Sequence, residues 1–395
     1  MDRSAVLIIG GGIGGLTLAL AVARIGRRAH VLEKAQEFSE IGAGVQLAPN
    51  ASHALAAVGV LDAVYTHAVF PKRIVWMDAQ SGEGLTALDL GPQFIERYGH
   101  PYFVMHRHDL LLTLLAACRT NDAITLETNK DVVDLRQRGT ETQVRCADGS
   151  SYTACAVVGA DGLNSVVRAQ IAPDEPICSE YVAYRGAIPI DKVSAHAGLD
   201  NVVIYTGPNR HFIQYPLRRG ELFNQVAVFK SERYRTGSAD WGTPDELHAA
   251  FAHDAAPVRA AMGLIFENRR WPMSDRPPID RWSRGGLTLM GDAAHPMLQY
   301  LAQGAAQALE DAVVLARALE SAPDDVELAF SRYERERIPR TSRVQRLARE
   351  WGDLWHQPEH ALRDAMLRER APDDYSQSDW FYGYRPDEVL LGVAR

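Results

Sequence analysis

The sequence predicts an α/β protein. A Rossmann-like nucleotide-binding domain is interleaved with a second domain on a mostly antiparallel sheet, and a helical C-terminal region follows. Three observations predict this. Residues 5–33 read AVLIIGGGIGGLTLALAVARIGRRAHVLE: a strand, a glycine turn, a helix, a second strand and an acid, in order. Short apolar segments at 157–160 and 287–290 run into Asp161-Gly162 and Gly291-Asp292, so the chain returns twice to a buried sheet. Between them, residues 181–229 are rich in β-branched and aromatic residues, many with the alternation of an antiparallel sheet.

The opening stretch is the most informative. Residues 5–9 are apolar without alternation, as in a parallel strand covered on both faces. Gly10, Gly12 and Gly15 then supply GxGxxG, where glycine allows a tight turn and lets backbone N–H groups approach a pyrophosphate at a helix N-terminus. Residues 16–25 read as the helix, Gly26 is placed to end it, and residues 29–32 form the next strand. Glu33, eighteen positions after Gly15, can accept hydrogen bonds from a ribose diol. The ordered set defines a dinucleotide site; alone it does not distinguish NAD from FAD.

The glycine-rich segment 41–47 is either a connector or backbone placed close to a flat ligand. Helical spacing follows at 50–58 and at 109–119, where Leu110, Leu111, Leu114 and Leu115 share a side. Residues 74–77 and 102–105 read as strands and are grouped with the sheet-rich part of the chain. GADGLNSVVR at 159–168 is expected to lead into a helix, and GDAAHP at 291–296 into a small-residue helix at 306–319. Residues 326–351 are helical and charged, and the tail from 372 is expected to be irregular and packed across the body. The expected division is 1–70, 101–178 and 270–325 for the nucleotide domain, 71–100 and 179–269 for the second domain, and 326–395 for the helical region and tail.

Composition excludes several classes. The 395 residues are 46% hydrophobic and 23% charged, as in a soluble globular protein. The net charge of −8, with no polybasic block, argues against nucleic-acid and anionic-membrane partners. No apolar run is long enough to span a bilayer, and the first strand begins too early for a signal peptide. Cys118, Cys146, Cys155 and Cys178 lack metal-ligand spacing and read as reduced thiols of a cytoplasmic protein.

Taken together, GxGxxG with Glu33, the Asp-Gly segment and the Gly-Asp segment resemble the group A FAD-dependent aromatic hydroxylases, with the para-hydroxybenzoate hydroxylase fold. The match runs through essentially the whole chain. The resemblance implies that Gly10, Gly12 and Gly15 cradle the FAD pyrophosphate and that Glu33 holds the adenosine ribose. Arg107, in HRHDL at 106–110, would contact the ribityl and pyrophosphate region. Asp161 and Gly162 would serve FAD and nicotinamide handling, Asp292 would bond the ribityl chain, and Gly304 would bring backbone N–H groups to the flavin ring. Singly, Asp161 and Asp292 are equally readable as turn-formers or N-caps.

Further stretches narrow the resemblance to the 3-hydroxybenzoate 6-hydroxylases within that family: RYGHPYF at 97–103, GPNRHFIQYP at 207–216, WPMSDR at 271–276, WGDLWH at 351–356 and SDWFYGY at 378–384. In HPMLQYL at 295–301, many relatives have proline where this chain has Gln299, whose amide can bond a phenol or a carboxylate. The implied reaction uses NADH to reduce FAD, adds O2 at the flavin C4a position and passes the distal oxygen of that hydroperoxide para to the hydroxyl of 3-hydroxybenzoate, giving 2,5-dihydroxybenzoate (gentisate). His211 is the candidate base, because an imidazole titrates near working pH. Gln299 would join it on the substrate hydroxyl, and Tyr215 would support the pocket. Without the resemblance, His211 and Tyr215 read as packing residues and Gln299 as a helix cap; His295 reads as structural. The resemblance also implies a homodimer. The competing expectations are the same chemistry on salicylate or a hydroxynicotinate, and a flavoprotein that does not oxygenate.

Overall fold

The computed structural model describes residues 5–39, 43–193, 198–359, 363, 365, 367 and 371–389. Ile41 and Gly42 of the glycine-rich segment, and the last residues of the tail, lie outside them.

A five-stranded parallel sheet runs in the order Leu287–Leu289, Ala156–Gly159, Val6–Ile9, Ala29–Leu32, Ile124–Glu127. Every residue of the central strand Val6–Ile9 is buried, which is why it shows no polar alternation. Helix Ile13–Arg24 packs against helices Gly304–Ser321 and Arg107–Arg119, so strand, glycine turn and helix share one core.

The second large sheet has seven strands in the order Trp271–Asp275, Ile177–Pro189, Leu222–Lys230, Arg210–Leu217, Val202–Gly207, Arg73–Asp78, Gly84–Asp89. All neighbours are antiparallel except Val202–Gly207 with Arg73–Asp78. Strand alternation decides what each face carries. His211, Ile213 and Tyr215 stand opposite Val228, Val226 and Asn224, and Arg185 opposite Val226, all on one face. Phe212, Ala227 and Tyr184 point the other way, into a core closed by helices Pro244–Phe251 and Ala256–Met262.

Helix Val326–Trp355, 30 residues long, links the two halves. Phe330 and Tyr333 near its start enter the core of the parallel sheet, whereas Trp355 at its end enters the core on the site-bearing face of the larger sheet. Among the described residues, no helix is long and apolar enough to cross a membrane.

Four details differ from the sequence reading. The strand expected at 102–105 is Phe103–His106, and it pairs with Gly44–Leu47 in a separate ribbon rather than joining the large sheet. Residues 132–154 form an unforeseen three-stranded antiparallel sheet, because tight turns at Gly139 and Gly149 bring short polar strands together without a strong apolar pattern. The Asp-Gly segment leads only into the four-residue helix Arg168–Ile171. The tail is packed across the body, as expected, yet forms the short helix Asp379–Tyr382, in which the Tyr382 ring meets Phe94 and Tyr98.

Candidate active site

The C-terminal ends of the parallel strands open onto a cavity of about 670 Å³, which extends past the start of helix Gly304–Ser321 to the large sheet. Ligands of open α/β sheets bind at such strand ends.

At its nucleotide end the wall is backbone. Gly10 has φ +110°, and a Cβ there would lie 2.3 Å from the Ala160 carbonyl oxygen. Gly10 and Gly12 line the cavity. Gly15 does not: a Cβ on it would lie 2.0 Å from the Gly10 carbonyl oxygen, so its part is to let the helix close onto the turn. Glu33 is held by two backbone donors, Gly11 N–H to Oε2 at 2.7 Å and Ala35 N–H to Oε1 at 2.8 Å. Each oxygen retains lone-pair capacity for a diol. Arg107, the first residue of its helix, also lines the cavity. It is positioned by its own N–H, which donates to the Ala43 carbonyl at 2.9 Å.

The middle of the cavity is built from the two carboxylate segments. Asp161 lines the wall but bonds within its own loop, accepting from Ser165 Oγ at 2.5 Å and Val166 N–H at 2.8 Å. Burial raises its pKa, and these bonds oppose the rise. Its contacts are thus those of a turn-former, while Gly162 beside it, at φ +77°, takes the left-handed turn. Asp292 is exposed on the cavity wall in the turn Gly291–Ala293. That turn hangs from buried groups: Gly291 N–H donates to Asp311 Oδ2 at 2.8 Å, and His295 Nε2 lies 2.5 Å from the same oxygen. Arg337 Nε donates to Asp311 Oδ1 at 2.7 Å, and Arg337 Nη1 to Glu310 Oε2 at 2.5 Å. Arg168, at the end of the Asp-Gly segment, donates to the carbonyls of Ala293 and Ala294 at 3.1 and 2.7 Å. One buried guanidinium therefore ties the two segments together. Gly304 opens its helix at the cavity wall, where the first-turn N–H groups have no partners within the helix.

The far end is more apolar, with Ile213, Tyr215, Val226, Met297, Leu298 and Gln299 in its wall. Tyr215 is buried against Gly44, where a Cβ would lie 2.4 Å from its hydroxyl oxygen, and Asn224 Oδ1 accepts from Gly44 N–H at 2.8 Å. Gln299 lies in the turn Gln299–Leu301. His211 is fully buried and stands one layer behind that wall, its Nε2 3.4 Å from Gln299 Nε2 and its Nδ1 2.8 Å from His356 Nε2. Desolvation lowers the His211 pKa to about 3, so the ring does not titrate near working pH, as its residue type alone suggests, and is instead a neutral acceptor around pH 7.

The fold thus brings together all of the sequence-derived site residues, with Gly15 and His211 one layer back. Sequence reasoning missed Arg185, Asn224, Arg168 and His356. Strand alternation would have placed Asn224 and Arg185 beside Tyr215, but only with the pairing register known.

This constellation defines a nucleotide-cofactor enzyme with room for a small second ligand. FAD fits it, because backbone at Gly10 and Gly12 at the start of the first helix, the Glu33 carboxylate and the Arg107 guanidinium all line the same cavity, a donor set suited to a dinucleotide. A family model described as FAD binding domain matches residues 3–348. A 3-hydroxybenzoate 6-hydroxylase of Klebsiella oxytoca is 38% identical over 387 residues, covering 97% of this chain and 98% of the relative. Klebsiella pneumoniae HpxO, solved with FAD and uric acid, superposes with a TM-score of 0.83 at 26% identity, over 99% of this chain and 98% of that one. A salicylate hydroxylase substrate complex gives 0.80 at 25% identity, over 98% and 96%. The chain belongs to this FAD-binding family and is a FAD-dependent aromatic monooxygenase.

Proposed function

We propose that the protein is an NADH-dependent 3-hydroxybenzoate 6-hydroxylase, using O2 to hydroxylate the ring para to its hydroxyl and releasing 2,5-dihydroxybenzoate (gentisate). The observation that carries this is the Gln299–His211 pair at the apolar end of the cavity, with Nε2 atoms 3.4 Å apart. Gln299 closes the wall in front of His211, and His211 behind it is a neutral imidazole able to take the phenolic proton as the new C–O bond forms, once the Gln299 amide turns aside and the phenol reaches its Nε2. Removing that proton makes the ring more electron-rich. Tyr215, Ile213 and Val226 orient the ring and exclude water. The cofactor is held by Gly10, Gly12, Glu33, Arg107, Gly162, Asp292 and Gly304; Gly15 and Asp161 shape the backbone around it. When bound, FAD supplies the electrons and the activated oxygen. Identity of 37–38% over nearly the whole chain, to 3-hydroxybenzoate 6-hydroxylases and equally to 3-amino-4-hydroxybenzoate 2-monooxygenases, supports a hydroxybenzoate as the substrate class.

The test is a screen of aromatic acids with purified holoenzyme, following NADH oxidation and identifying products. Gentisate from 3-hydroxybenzoate is the expected result. Turnover of salicylate or 6-hydroxynicotinate in its place would reassign the substrate. Stimulation by no aromatic acid would overturn the proposal.

A further inference from the structure

His356 is the C-cap of helix Val326–Trp355, and no part of the proposed reaction has yet used it. Its Nε2 lies 2.8 Å from His211 Nδ1, with the two rings nearly parallel at an interplanar angle of 21°. Two imidazole nitrogens at that distance cannot both present lone pairs, so one proton lies between them. His356 is firmly held. Its ring stacks on Tyr181 at 4.4 Å, meets Tyr300 edge-on at 5.4 Å, and its carbonyl accepts from Asn209 N–H at 3.2 Å. Both histidines are buried and desolvation keeps both neutral, so the pair is one donor and one acceptor rather than two cations.

We propose that His356 is a positioning residue for His211. His211 donates Nδ1–H to His356 Nε2, which leaves His211 Nε2 as the lone pair turned toward Gln299 in the cavity wall. The opposite arrangement would place a proton on His211 Nε2, and His211 would then be unable to accept one from a phenol. On accepting the phenolic proton at Nε2, His211 becomes an imidazolium whose Nδ1–H is already bonded to His356. The pair carries one added positive charge, matched by the phenolate formed. The imidazolium lies beside the carboxyl end of a 30-residue helix, where a cation is favoured.

The inference rests on the proposed phenol hydroxylation, and two measurements keep the two separable. The first is nitrogen NMR of 15N-histidine-labelled holoenzyme without substrate, with His211 assigned by its loss in His211→Ala. The expected spectrum shows His211 protonated at Nδ1 in the parent protein and in His356→Gln, whose amide oxygen can accept, but not held in that tautomer in His356→Phe. His211 protonated at Nε2 in the parent overturns the proposal, whatever the substrate. The second is the fraction of oxidised NADH that appears as hydroxylated 3-hydroxybenzoate. His356→Phe should lower the rate of product formation about tenfold or more and release the balance as peroxide, with NADH oxidation maintained and His356→Gln largely restoring it. Unchanged coupling in His356→Phe also overturns the proposal. If the parent protein hydroxylates no aromatic acid, the functional reading falls while the NMR result still decides the tautomer.

Discussion

At the scale of single residues, the proposed reaction divides the work at the substrate end between Gln299 and His211. His211→Ala should leave substrate-stimulated NADH oxidation in place, lower product formation about 100-fold and raise peroxide release. Parallel stopped-flow and product assays check this, and undiminished coupling would refute the base role. Gln299 permits a sharper test. Leu298 before it sits at φ −67° and ψ 152°, the extended conformation that a residue preceding proline adopts. The backbone on the Leu298 side is therefore ready for a proline at position 299. Gln299→Pro should fold and retain FAD while losing the amide that the proposed reaction places on the phenol. Loss of bound FAD in that variant would show that Gln299 serves the loop rather than the substrate.

At the scale of elements, the Gly291–Ala293 turn depends on charges buried inside the helices beneath it. Arg337, fully buried, joins Glu310 and Asp311, and Asp311 in turn holds Gly291 N–H and His295. Burial alone would raise the Asp311 pKa, but His295, Arg337 and the Gly291 N–H outweigh it and hold the carboxyl at about 2. Arg337→Met removes the cation and leaves buried carboxylates under-compensated, at a cost of about 3–5 kcal/mol. The expected outcome is a clear fall in melting temperature together with weaker FAD retention, because Asp292 is carried on the suspended turn. Reduced stability with unaltered FAD affinity would separate the network from the site. None of this was legible in the sequence. Glu310, Asp311 and Arg337 sit in ordinary charged helical patterns, and their pairing, between residues more than twenty positions apart, depends on how two successive helices cross. The Gly10–Gly15 turn and Glu33 were legible because strand, turn, helix and acid are contiguous and each is dictated locally. Asp292 is legible as a carboxylate at the end of a buried strand, Gly304 only through the resemblance, and His356 lies within a stretch that carries the resemblance but with no role assigned to it.

At the scale of the whole molecule, buried histidines make stability fall with acid before the carboxylates are reached. His211 has its folded pKa lowered to about 3, and burial lowers His356 well below its ordinary value too. An unfolded chain binds protons at these rings below about pH 6.5, whereas the folded chain does not. Stability is therefore fully present above that pH. It declines as pH falls toward the folded values, by about 1.4 kcal/mol per pH unit for each such histidine. The carboxylates act later: with Asp311 held at about 2, its contribution is present above about pH 4 and is lost as pH falls through 2. The two groups thus separate on the pH axis. A melting-temperature series from pH 7 to pH 5 should show a marked decline in the parent protein. His211→Phe, which keeps a buried ring without a titrating nitrogen, should decline less over the same interval. Parallel declines would show that the ring at position 211 does not govern acid sensitivity and would count against its buried, neutral state, on which its assignment as the proton acceptor also depends.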